Sequence, residues 1–98
     1  MAYKEHLALE LLKGRMDKAG LKVPPAMETY WRNRLQAAKV KLAEKGVVYD
    51  DDPNSISDNE LIADYTAYML NNRDSAEEMP KWLSREIRER FLRGKKNV

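Results

Sequence analysis

Apolar residues recur along this chain at three- and four-residue intervals, in four blocks separated by turn residues. The first block predicts a helix over residues 3–19. Leu9, Leu12, Met16 and Ala19 fall at helical spacing, with Leu7 and Leu11 widening the stripe. Gly14 costs that helix about 1 kcal/mol relative to Ala, and Gly20 is the expected stop. Pro24 and Pro25 then turn the chain. The second block predicts a helix over residues 26–45. It carries Met27, Trp31, Leu35, Ala38 and Leu42 on one face, opposite Arg32, Arg34, Lys39, Lys41 and Lys45. Pro25 presets its first turn and Gly46 ends it. A third helix starts at Ser57, where "SDNE" fits the capping-box pattern, and presents Leu61, Ile62, Tyr65, Tyr68 and Met69. The fourth begins at Pro80 and is expected to end at Gly94. Its apolar stripe of Leu83, Ile87 and Phe91 is narrow, and Arg85, Arg88, Arg90 and Arg93 occupy much of the rest.

Between the second and third helices lies "VVYDDDPNSI", a loop of about ten residues, long for a compact domain. No alternating pattern is long enough for a substantial strand. The expected fold is therefore all-α: a small bundle of about four helices with one long acidic loop. It forms a single domain over residues 1–98, with residues 94–98 as a flexible tail.

Composition adds a thin core under a charged surface. The chain has 98 residues, of which 35% are charged, against roughly 25% in globular domains. Five Met, five Tyr and two Trp supplement a modest set of aliphatic residues. The formal net charge of +2 conceals segregation: residues 1–49 carry +5, residues 50–80 carry −8 and residues 81–98 carry +5. Such a plus–minus–plus chain suits contacts with partners, including a second copy of itself.

Candidate chemistry is sparse. Without cysteine there is no disulfide framework, thiolate metal site or Cys nucleophile. His6 is the sole histidine; it reads as a surface residue, and one His supplies too few ligands for a metal. In "DDDPNSISDNEL" the register from Asp50 puts Ser55 where a calcium loop needs Gly, and Leu61 where it needs Glu. There is no phosphate-binding glycine loop and no nucleophile elbow. No enzyme activity, cofactor or metal is expected. No apolar run is long enough to span a membrane, and the N-terminus lacks a signal-peptide core. The basic second and fourth helices, interleaved with Tyr30 and Trp82, keep a small DNA-binding regulatory protein open as one reading.

The closing region, "DNELIADYTAYMLNNRDSAEEMPKWLSREIRERFLR", resembles that of the small helical head–tail connector (adaptor) proteins of tailed bacteriophages. The resemblance rests on an acid-started helix with Leu61-Ile62 and Asp64-Tyr65, an aromatic at Tyr68, a polar stretch with Arg73, then Met79-Pro80 before a basic final helix. "METYWRNRLQAAKVKLAEKGV" is similar to that family's central helix, with Ala37-Ala38 ahead of a Gly-ended turn. The N-terminal helix and "DDDPNS" have no counterpart in it. The resemblance implies a virion protein of the neck region, present in host cytoplasm during assembly. Such proteins form a ring, usually dodecameric, which joins the portal to stopper or tail-completion proteins. DNA passes through the ring's channel without specific binding. On that reading Trp82, Arg85, Arg88, Arg90, Arg93, Lys95 and Lys96 are candidate portal-binding residues. Asp50, Asp51 and Asp52 are candidates for a subunit or channel contact.

Overall fold

Four helices in sequence make up the fold: α1 (Glu5–Arg15), α2 (Pro25–Glu44), α3 (Ser57–Asn71) and α4 (Lys81–Lys96). In this computed structural model the described residues are 4–18, 21–47, 49, 57–72 and 79–96, with 93–96 described by backbone alone. No strand occurs among them, and the architecture is a small all-α bundle. The long acidic loop expected over residues 47–56 lies outside the described residues except for Val47 and Tyr49.

α1 is shorter than its apolar periodicity suggests, because its chain reverses before Gly20. Asp17 adopts φ 58, a left-handed conformation that Asp tolerates better than most residues. The Lys18 N–H then donates to the Lys13 carbonyl at 2.7 Å, and the Asp17 N–H to that of Gly14 at 3.3 Å. This is the paired-bond geometry of a Schellman C-cap. At the other end of α1, the Lys4 N–H donates to Asn59 Oδ1 on α3 at 2.9 Å. A donor that the helix itself cannot satisfy thus finds a buried partner in the bundle.

α2 follows its sequence pattern closely. Pro25 opens it, and Trp31, Leu35, Ala38 and Leu42 are buried. Met27, expected in the core, is 39% exposed; it belongs to a first turn whose Pro25 and Ala26 are exposed too. Gly46 ends the helix at φ 92. Its N–H bonds the Ala43 carbonyl at 3.0 Å, and the Val47 N–H bonds that of Leu42 at 3.0 Å, a second Schellman cap. Val47 is buried and supplies the apolar residue that commonly accompanies this motif.

α3 is the central element. Leu61, Ile62, Ala63, Tyr65 and Ala67 are buried, and so are Asp58, Asn59 and Thr66. Burial on this scale means that α3 is covered on more than one face. α1 and α2 pack against it and against each other, and α4 packs on it separately. The Thr66 hydroxyl, in this apolar setting, donates to the Ile62 carbonyl at 2.6 Å, satisfying a group that could not be buried unbonded. An ion pair from Arg15 Nε to Asp64 Oδ1 at 2.5 Å joins α1 to α3.

α4 is the outlying helix. Of its described side chains only Leu83 and Arg90 are fully buried, with Ile87 packed at the core's edge. Its expected end at Gly94 is not observed: the helix continues to Lys96. A helical Gly costs about 1 kcal/mol and ends a helix only where the backbone turns left-handed. Phe91 lies over the end of α2. A Cβ built on Gly46 would stand 2.5 Å from Phe91 Cδ2, so the ring occupies the space that only glycine leaves open.

Candidate docking surface on α4

Each turn of α4 offers a different chemistry to its surroundings, because 100° separates successive residues. Leu83 and Ile87 are set one turn apart and face α3. Arg90, seven residues after Leu83, returns to the same face. It is 1% exposed, and Nη1 forms a buried ion pair with Asp58 Oδ1 in the first turn of α3. Nη2 donates to Ser57 Oγ at 2.9 Å, and Nε donates to Glu86 at 3.4 Å. The planar guanidinium spreads its donors over three acceptors, which an ammonium could not do in one plane.

This removes Arg90 from the surface that the sequence pattern assigned to it. Its acidic partner is Asp58 of the same chain, and Asp58 is a core residue rather than a solvated helix-start acid. Helical spacing carried the signal: residue 90 completes the series 83, 87, 90, on which a large side chain must point inward.

Tyr49 closes one margin of the same region. Its hydroxyl donates to the Lys39 carbonyl at 2.8 Å. Burial pushes its phenol well above the ordinary value of 10; the negative charge of Asp58 adds to this and that of Arg90 opposes it. The tyrosine therefore lies within electrostatic reach of the ion pair and stays neutral over the physiological range.

The outward face of α4 keeps the other candidates. Trp82 is 58% exposed, and Arg85 and Arg88 are exposed. Lys81, Ser84, Arg85 and Arg88 line a shallow basic groove; Lys81 and Ser84 are additions that the sequence pattern did not single out. Trp82 also borders a second groove, between α3 and α4, with Ser57, Glu60, Leu61, Asp64 and Glu86. Trp82 thus stands between a basic and an acidic strip. The backbone of α4 continues through residues 93–96, while the side chains of Arg93, Lys95 and Lys96 lie outside the described residues. Asp50, Asp51 and Asp52 lie outside them altogether. His6 is exposed.

No cluster of three or more His, Cys, Asp or Glu able to hold a metal occurs among the described residues. None of their helices is long and apolar enough to cross a membrane. What the outward face of α4 offers among the described residues is a large exposed aromatic beside several cations. Comparison with protein-family models, curated proteins and solved structures finds no match for the chain.

Proposed function

We propose that this chain is a structural head–tail connector subunit of a tailed bacteriophage, without enzymatic activity, that docks to a portal through the outward face of α4. The supporting observation is that face itself. Lys81, Arg85 and Arg88 line one groove beside an exposed Trp82, on a helix whose inner face is already fixed to α3 by Leu83 and Arg90. A basic face with an aromatic anchor suits an acidic partner surface. The resemblance of residues 58–93 to the connector family names the portal as that partner and a ring of identical subunits as the assembly, with stopper or tail-completion proteins on its other side.

The test uses Lys81→Gln with Arg88→Gln and leaves the buried Arg90 untouched. Helicity is checked by circular dichroism, and capture by portal rings is measured across a salt series. The expected result is normal helicity with clearly weaker capture at low salt. Capture equal to wild type at low salt overturns the docking role. Tight, sequence-selective retardation of duplex DNA by the wild-type chain would instead favour the DNA-binding regulator.

Under the same reading Asp50, Asp51 and Asp52 line the channel or a subunit contact, where negative charge lets DNA pass without sticking. Replacing all three with Asn is expected to impair assembly or infectivity; unchanged behaviour in both refutes it.

A further inference from the structure

Two large apolar side chains stand on the outer face of α4: Trp82, 58% exposed, and Leu92, 43% exposed. Between them lie Arg85 and Glu89, both exposed. No hydrogen bond or ion pair among the described residues holds either charge. The spacing 82, 85, 89, 92 is the three-four-three interval of a coiled-coil seam. These four residues therefore form one stripe along the helix. Leu83, Ile87 and Arg90 hold the other side of the helix against α3, and Trp82 stands at the edge of the stripe that borders the α3–α4 groove.

The order along the stripe is apolar, positive, negative, apolar. Read backwards it is apolar, negative, positive, apolar, which is its own complement. We infer that the partner of this stripe is a second copy of the chain, its α4 laid antiparallel across a two-fold axis at the level of Ile87. Trp82 then covers Leu92 of the second copy, and Arg85 meets Glu89 of the second copy, each contact made twice. A two-fold interface demands such self-complementarity. Parallel pairing fails the same criterion, since it sets Arg85 on Arg85 and Glu89 on Glu89. Arg88 falls at the margin of the antiparallel pair, where its two copies face solvent and salt screens them.

A helix of 16 residues is about 24 Å long. One such face per copy belongs to the weak interface class, below about 1,200 Å². The dimer is therefore reversible and concentration-dependent. The inference does not rest on the portal reading, although a portal bound over this face would have to displace the second copy.

The test is sedimentation equilibrium of the full chain at low salt, up to about 1 mM because small interfaces are weak. Wild type is expected to show a monomer–dimer equilibrium. R85E and E89R each create two like-charge contacts, and each is expected to weaken association by roughly tenfold or more. An equimolar mixture of R85E and E89R restores opposite charges across the two-fold, so the mixture dimerises where neither variant does alone. Trp82→Ser weakens pairing independently of charge. Circular dichroism checks that these exposed-site variants fold. The inference is overturned by a wild type that stays monomeric throughout, by single swaps that associate like wild type, or by a mixture that stays monomeric. A larger oligomer indifferent to the swaps overturns it equally. The portal test uses Lys81 and Arg88, off this stripe, so the two readings can fail separately.

Discussion

Replacing Arg90 by Met should be the most damaging change on the face of α4 that meets the core, although Arg90 is one of seven cations in a basic segment. In the folded chain Asp58 is fully buried and Arg90 is 1% exposed. Removing the guanidinium leaves Asp58 without its ion-pair partner and Ser57 without the Nη2 donor 2.9 Å away. Deleting one partner of a buried pair costs about 3–5 kcal/mol. The whole stability of a domain this size is about 5–15 kcal/mol, so the loss is a large share of it. At about 4–8 °C per kcal/mol for a small domain, the melting midpoint should fall by at least 10 °C. Arg90→Lys should recover only part of this, because a point charge cannot serve Asp58 and Ser57 in one plane. The double variant Asp58→Leu with Arg90→Met is the informative control. With both charges gone, it should lie much nearer wild type than R90M does, since apolar replacement of a buried pair is often neutral or better. Urea unfolding followed by far-ultraviolet circular dichroism would complete the cycle. If R90M costs less than about 1 kcal/mol, the pair does not hold α4 to α3. If the double variant is as unstable as the sum of its parts, the two residues are not coupled.

Three further outcomes follow from the same packing. Gly46→Ala should cost about 2–4 kcal/mol in urea unfolding, combining left-handed strain with the clash against Phe91; Phe91→Ala in that background should recover part of the steric share. Tyr49→Phe should cost about 1 kcal/mol near neutral pH by deleting the bond to the Lys39 carbonyl. Because burial raises the Tyr49 pKa above its unfolded value, wild type keeps that contribution below about pH 10 and loses stability as pH rises further. Unfolding midpoints against pH should therefore fall less steeply for the Phe variant above pH 10. Asn59→Leu should cost about 1–3 kcal/mol, since it strips the Lys4 N–H of its buried acceptor; amide exchange at the start of α1 should quicken.

The sequence by itself determined the number of helices, the inward residues Leu9 and Leu12 of α1, Trp31, Leu35, Ala38 and Leu42 of α2 and Leu61, Ile62 and Tyr65 of α3, and the Gly46 stop, because each depends on neighbours three to five residues away. Helical spacing puts Leu9 with Leu12 and Trp31 with Leu35, and the cap at Gly46 closes on Leu42 and Ala43. Trp82 and Leu92 were legible as residues off the core stripe of α4 for the same reason. What only the tertiary structure decided involves partners far along the chain. Asp58 and Arg90 are 32 residues apart; helical spacing turns Arg90 inward, but nothing local says that Asp58 stands opposite it. The reversal at Asp17 overrode an apolar pattern that continues to Ala19. Glycine at 94 did not end α4, although glycine at 46 ended α2, since the two differ in the backbone turn that follows rather than in residue type. A charged residue's address depends on which surface arrives opposite it. Local periodicity says which way a side chain points, and only the packed bundle says whether water or a carboxylate is waiting there.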